Sequence, residues 1–530
     1  MNLSLIDTPA STDRSMPVPL PQIAIRLHPD DNVAIARQPL LQGMTLRLED
    51  DTLLSIQETI PPGHKLALRS VAVGGAVRRY GQFIGAATKF IPSGSHVHTH
   101  NLSVAAFDKD YAIGVDVKPV AFVPAEQRRT FMGYLRADGR VGTRNTIAVI
   151  SSVNCSAHTV RQIAAHFTHE VLAAYPNVDD VIAVAHASGC GARLGGADYQ
   201  LLQRTLAGMA NNPNVGGYIL VGLGCEVNQV QDLINNYGLQ RGVRGQPPVS
   251  LTIQESGGIR KTVQAGIEAV KALLPVVNAT ARTPQPISGL NVALQCGGSD
   301  GWSGVTANPA LGLAVDELVR QGGTAVLSET TEIYGAEHLL TRRAINPHIA
   351  EKLIGQVHWW EEHTRRLNIE IDNNPSPGNK AGGLTTIYEK SLGAVAKGGN
   401  TPLTAVYAYA EPITERGMVF MDTPGYDPVS ATGQVAGGCN LIVFTTGRGS
   451  VFGFKPAPSI KVATNSALYR QMEDDMDIDA GKILEGVPMV AVAAEILDEI
   501  IAVASGKQSK SEAQGVGADE FNPWNLGGTL

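Results

Sequence analysis

The sequence predicts an α/β protein built as a small all-β module followed by two α/β domains. Three observations carry that expectation. At 530 residues the chain is too long for one hydrophobic core. Residues 23–102 hold short β-branched runs separated by Gly and Pro turns, with no helical period. From Thr146 onward, strand-length apolar runs alternate with helix-length amphipathic ones, which implies right-handed crossovers and a parallel sheet. The expected boundaries are a tail over 1–22, the β module over 23–102, a linker over 103–130, a middle domain over 131–282 and a last domain over 290–530.

Composition excludes several classes of function. Charged residues make up 17% and the net charge is −7, so there is no basic footprint for nucleic acid and no basic run to dock on a membrane. The most apolar stretch, Val487 to Ala504, is interrupted by Glu495, Asp498 and Glu499, so no span is expected. The first residues lack a positive start followed by an apolar core, so no signal peptide is expected either. Five cysteines, odd in number and without a CxxC pair, argue against a disulfide framework. A cytoplasmic protein with reduced thiols is the expectation. No strand is followed by GxGxxG and there is no Walker loop, which speaks against a nucleotide cofactor.

In the first module, runs at Ile23–Leu27, Leu53–Ile60, Leu66–Val73 and His96–Leu102 read as strands, with turns at Pro61-Pro-Gly63 and Pro92-Ser-Gly94. The module holds five of the thirteen histidines. His96, His98 and His100 alternate with Val97 and Thr99, so an extended strand would place all three imidazoles on one face. Histidine is the commonest metal ligand, and three on one face point to metal or substrate binding. His28 precedes the oxygen-rich turn Asp30-Asp-Asn32, while His64 and Lys65 follow the Pro-Pro-Gly turn.

The middle region reads as four βα units, with strands at Thr146–Val153, Val178–Ala185, Gly217–Leu223 and Val249–Ile253. Cys155, Cys190 and Cys225 are 35 residues apart each time, one unit, and each falls just past a strand end. In open parallel sheets that rim is where ligands bind. After a Thr/Pro/Gly-rich break, Leu290–Leu294 reads as a strand leading into Gln295-Cys-Gly-Gly-Ser-Asp300 and on to Asn308, a loop rich in glycine and hydroxyls that suits an anion or polyol. Lys380 lies in the turn-rich loop Asn374–Gly383. Arg448 lies in Thr445-Thr-Gly-Arg-Gly-Ser450, after the strand Leu441–Phe444, where a guanidinium can take a carboxylate bidentately. These loops together point to an anionic, hydroxyl-rich ligand such as a sugar acid.

The combination of His28…Asp31-Asn32, Gly63-His-Lys65, His96-Val-His-Thr-His-Asn101, Gly139-Arg-Val-Gly-Thr-Arg-Asn145, Gly222-Leu-Gly-Cys-Glu226, Gln295-Cys-Gly-Gly-Ser-Asp300, Thr306-Ala-Asn-Pro309, Asn374-Pro-Ser-Pro-Gly-Asn-Lys380 and Thr446-Gly-Arg-Gly449 resembles the altronate and galactarate dehydratases over residues 23 to about 507. The histidine stretch resembles the altronate branch. The resemblance implies a β-clip (SAF-type) module, a middle dimerising domain, hence a homodimer, and a Rossmann-like last domain. It also implies an iron-dependent hydro-lyase using Fe²⁺ or another divalent metal such as Mn²⁺.

The reaction so implied is β-elimination from an aldonate: the C2 proton leaves, the C3 hydroxyl departs and the product tautomerises to a 2-keto-3-deoxy acid, with D-altronate the first choice of substrate and galactarate or another aldonate or aldarate the alternative. On that footing the metal is assigned to His28, His96 and His98, and acid or base work to His64, Lys65 and His100. Lys380 and Arg448 are assigned to the carboxylate, and Ser299, Asp300 and Asn308 to hydroxyls. The rival placement puts iron, or an iron–sulfur cluster, at Cys190, Cys225 and Cys296. A non-catalytic sugar-acid sensor is the other class of function; it would want a DNA-binding helix-turn-helix, and none is visible.

Overall fold

The computed structural model describes residues 16–107, 109–241, 247–527 and 529. The expected tail over 1–22 therefore lies largely outside the described residues. Its end does not behave as a tail: Val18–Pro19 pairs in parallel with Leu46–Arg47, and Leu20 and Ile23 are buried in the module's core. The chain forms two compact units. One combines the chain up to Asp108 with Pro375–Lys390, and the other contains Lys109–Asn374 and Ser391–Leu530.

The first unit is all-β in its N-terminal part, as expected, but its strands are shorter than the apolar runs. Ala24–Ile25, Val33–Ala36, Lys65–Ala67 and His96–Val97 form one four-stranded antiparallel sheet. The expected strand His96–Leu102 stops at Val97 because Asn101 folds the chain back. Its side-chain oxygen accepts from the His98 N–H at 2.9 Å, its amide donates to the His96 carbonyl at 2.9 Å, and its own N–H bonds the His98 carbonyl at 3.0 Å. Asparagine competes with strand pairing in this way wherever its side chain reaches nearby backbone.

In the second unit the middle sheet consists of β1 (Thr146–Ser151), β2 (Asp180–Val184), β3 (Val215–Gly222) and β4 (Val249–Thr252). All pairings are parallel and the order is β2-β1-β3-β4. Strand β1 is buried on both faces, which is why it reads as an unbroken apolar run. Ile147 and Val149 face a core shared with helices Ala157–Ala165 and Ile259–Asn278, while Ala148 and Ile150 face the helix Ala197–Ala210.

The second sheet of this unit has seven strands: β5 (Asn291–Cys296), β6 (Thr324–Ser328), β7 (Leu403–Tyr407), β8 (Gly417–Met421), β9 (Leu441–Thr446), β10 (Ser459–Ala463) and β11 (Ile478–Asp479). Every pairing is parallel and the order is β7-β8-β6-β5-β9-β10-β11. Strands β6 to β8 build outward on one side of β5 and β9 to β11 on the other, so the direction of building reverses between β5 and β9. The residues after Gly506 do not hang free. Phe521 and Trp524 are buried, Trp524 stacks on Trp360 with ring centres 5.3 Å apart, and Arg144 donates twice to the Glu512 carboxylate. No helix among the described residues is long and apolar enough to cross a membrane.

Candidate functional site

In the first unit, a one-residue step along the chain separates two very different side chains. His64 and Lys65 follow the Pro61-Pro-Gly63 turn, where Gly63 takes φ +79°. Lys65 is fully buried and its ammonium donates to the Gly383 carbonyl at 2.7 Å and to both oxygens of Glu389 at 2.9 Å. Arg79 also ends on Glu389, as do the N–H and hydroxyl of Thr385. Burial alone would raise the Glu389 carboxyl, but Lys65 and Arg79 outweigh it and hold it down at about 2. Lys65 was expected to act as acid or base. Its donors are spent on protein oxygens, so it fastens the segment Gly383–Glu389 to the β module instead.

His64, by contrast, joins an imidazole cluster. Its Nδ1 lies 3.0 Å from Nε2 of His96, and its ring centre is 5.1 Å from those of both His96 and His98. His96 in turn lies 5.3 Å from His98 and 5.6 Å from His100. The turn at Asn101 thus keeps the rings together by a route other than the expected strand face. Nε2 of His98 is 2.9 Å from the Lys380 carbonyl, at the end of a short helix, Pro377–Ala381, opened by a Ser376/Asn379 capping box. Burial and neighbouring imidazoles lower His64 to about 4 and His96 to about 3, so both rings are neutral near pH 7. His100 is exposed.

His28 is not part of this group. Its Nδ1 accepts from the Asp30 N–H at 3.1 Å, and its N–H donates to Asp31, whose carboxylate also accepts from the N–H groups of Tyr80 and Gly81. The oxygen-rich turn caps itself, and His28 is not in ring contact with His96 or His98, with which a shared metal was expected. The nitrogens of His64 and His96 suit a metal ion: two ligands each about 2.1 Å from one ion stand about 3 Å apart at right angles. Imidazole also suits iron, zinc and nickel.

In the second unit, the two Gly-rich loops singled out from sequence fall at the reversal point between β5 and β9, where open α/β sheets bind ligands. The N–H groups of Gly447 and Arg448 both donate to the Gly298 carbonyl, at 3.0 and 2.8 Å. Arg448 is exposed there. Asp300 is buried and accepts from the Thr464 hydroxyl, the Ser303 hydroxyl and the Trp302 N–H, each at 3.0 Å. Asn308 is buried too, donating to the Gly393 carbonyl at 2.9 Å and accepting from Thr445 at 2.6 Å. Ser299 is likewise buried. Asp300 and Asn308, assigned to substrate hydroxyls, are therefore spent on holding the loops. A loop with little regular structure must satisfy its own buried polar groups. A Cβ at Gly447 would lie 2.1 Å from the Asp300 carboxyl carbon. Gly447→Ala is expected to cost about 1–3 kcal/mol of stability, read by denaturant unfolding.

At the tip of β5, Cys296 belongs to a cluster whose other members sequence reasoning missed. Among the described residues, Cys296, Glu329 and Glu332 form the set of His, Cys and carboxylate ligand atoms that lie within 4.8 Å of one another, and all three are buried. Lys397 donates to Cys296 Sγ at 2.9 Å and stands 3.8 Å from Glu329. Burial would lower Lys397, but Cys296, Glu329 and Glu332 outweigh it and raise it. The lysine supplies the positive charge that this cluster demands. Glu329 holds φ +71° and ψ +72°, a left-handed conformation that costs on the order of 1 kcal/mol and is typical of functional positions. Its place directly after a strand end was the available signal. Lys397, about a hundred residues away, carried none.

The remaining rival ligands are not assembled with Cys296. Cys155, Cys190 and Cys225 are exposed at the rim of the middle sheet, while Cys296 is buried at the tip of β5 in the other sheet. A Cys190–Cys225–Cys296 centre for one ion is therefore corrected, because no such set converges among the described residues.

Comparisons with known proteins agree with the architecture. The altronate/galactarate dehydratase SAF domain matches residues 22–105, the D-galactarate dehydratase/altronate hydrolase second domain matches 133–278, and the D-galactarate/altronate dehydratase C-terminal domain matches 287–529. An altronate dehydratase of Escherichia coli (strain K12) is 35% identical over 92% of this chain and 96% of its own length. The altronate dehydratase of Bacillus subtilis (strain 168) is 33% identical over 91% and 95%. The galactarate dehydratase (L-threo-forming) of Escherichia coli (strain K12) is 37% identical over 91% and 93%. With these matches running along nearly the whole chain, the protein belongs to the altronate/galactarate dehydratase family of hydro-lyases.

Proposed function

We propose that this protein dehydrates a sugar acid in a divalent-metal-dependent reaction, with D-altronate as substrate and 2-keto-3-deoxy-D-gluconate as product. The observation that carries the reading is the pair of neutral imidazole nitrogens of His64 and His96, 3.0 Å apart, with His98 stacked against both. His64 and His96 would hold Fe²⁺ or another divalent metal such as Mn²⁺, while His98, whose Nε2 faces the Lys380 carbonyl at 2.9 Å, packs against both rings. When bound, the metal supplies Lewis acidity that offsets charge gathering on the substrate carboxylate as C2 loses its proton.

The chain's own groups carry the rest. His100, exposed beside His96, serves as the proton carrier between C2 and the departing C3 hydroxyl. The C2–H and C3–O bonds break, water leaves, and the enol formed between C2 and C3 tautomerises to the ketone. Lys65, pinned by Glu389, holds the His64 turn in place. Lys380, whose carbonyl lies 2.9 Å from His98 Nε2, is the cation offered to the substrate carboxylate. Lys380→Met is expected to raise KM on the order of tenfold or more with a smaller change in kcat.

The direct test incubates the Fe²⁺-loaded enzyme with a panel of aldonates and aldarates and assays 2-keto-3-deoxy acids. Turnover of altronate above galactarate is the expected result. Chelation should abolish it and Fe²⁺ restore it; full turnover after metal removal would reject the reading.

A further inference from the structure

Strands β2, β1 and β3 are consecutive neighbours in the middle sheet, and each ends in a loop that carries an exposed cysteine: Cys190, Cys155 and Cys225. Neighbouring strands lie about 4.8 Å apart, so the three loops leave the sheet within a width of about 10 Å. Exposure is unusual for this residue type, which is among the most buried. The chain's other two cysteines, Cys296 and Cys439, are buried.

The loops are cross-tied. The Asn154 N–H donates to the Ser188 carbonyl at 2.8 Å, and the Asn228 N–H donates to the Gly189 carbonyl at 3.1 Å. The Asn228 amide donates to the Ser152 carbonyl at 2.8 Å. Glu226, buried, gathers the Ser152 hydroxyl and the N–H groups of Leu223 and Gly224, which sets the turn that presents Cys225. Gly189 takes φ +100°, and a Cβ there would stand 2.5 Å from the Ser152 carbonyl oxygen, so only glycine permits this approach. Three thiols are thus held on a braced frame. At its centre the side-chain oxygen of Asn228 is buried without a hydrogen-bond partner among the described groups.

We propose that Cys155, Cys190 and Cys225 hold a cubane iron–sulfur cluster, with one iron left free of protein ligation and open to an oxygen ligand. A single ion is the wrong size: tetrahedral metal–sulfur bonds of about 2.3 Å draw sulfurs to about 3.8 Å of one another. These three thiols do not come within 4.8 Å as a set. A cluster spans a wider triangle and takes thiolates as its protein ligands. Gln254, donating to Cys225 Sγ at 3.4 Å, is placed as the N–H···S bond that such clusters use to tune their potential. The proposal draws on residues other than the imidazole cluster and does not rest on the choice of substrate.

The test is anaerobic reconstitution of the full chain with Fe²⁺ and sulfide, followed by visible absorbance and analysis of iron and acid-labile sulfide. Bound sulfide in a ratio near one to iron, with a broad visible band, is the expected result. Cys155→Ser, Cys190→Ser and Cys225→Ser should each lose the band while melting like the parent, because the thiols are exposed. Cys296→Ser and His96→Ala should keep it. Absence of bound sulfide, stoichiometric zinc bound without sulfide, a band that survives Cys155→Ser, or one lost in His96→Ala would each overturn the assignment.

Discussion

His96→Ala is expected to lose bound divalent metal and to reduce kcat/KM on the order of 10³-fold or more. His96 is the hub of the imidazole group: its ring contacts those of His64, His98 and His100, and its Nε2 faces His64 Nδ1 at 3.0 Å. Alanine there removes one donor and leaves the others without a partner across the gap. The backbone cost is small, because the turn is tied by Asn101 to the His96 carbonyl, which alanine retains. Melting should therefore change little while metal content, read by elemental analysis, falls. Cys296→Ser is the matched control. If it empties the protein of metal and His96→Ala does not, the metal belongs beside Glu329 and Glu332, and the histidine reading fails.

The second large effect is on stability. Glu389→Ala leaves Lys65 and Arg79 buried and facing each other without their shared counter-charge. Breaking a buried pair from one side costs about 3–5 kcal/mol, and the loss should appear as a lower denaturant midpoint. The same carboxylate gives a pH signature. Its folded value, about 2, lies below the usual 4.5, so its contribution is complete above pH 4.5 and disappears as pH falls toward 2. The stability gap between the parent and Glu389→Gln should narrow across that window. A gap independent of pH would show that Glu389 is not ionised in the folded protein.

Much of the fold was legible because it is written in local periodicity. The four middle strands and the helices between them follow the alternation of buried runs and amphipathic stretches, and helix Met489–Ala504 lies where its pattern places it. The Gly-rich loops around Ser299 and Arg448 were visible because a ligand-facing loop needs small residues at a strand tip. What their polar side chains bond to was not legible. Asp300 and Asn308 look in sequence like donors for a polyol, yet each is spent on its own loop, and that depends on Thr464 and Thr445, far along the chain.

Residue types and their order alone determined the class of this protein: the β module rich in histidine, the parallel sheets, the cysteines at strand ends and the family itself. Tertiary structure alone decided which of those groups meet. It joined His64 to His96 across a turn instead of along a strand, set Glu389 against Lys65, and brought Lys397 to Cys296. The physical reason is that periodicity records which face a residue buries, a local property. Pairing of charges and ligands depends on loop closure over hundreds of residues, where a buried group is stable only if a partner arrives from elsewhere in the chain.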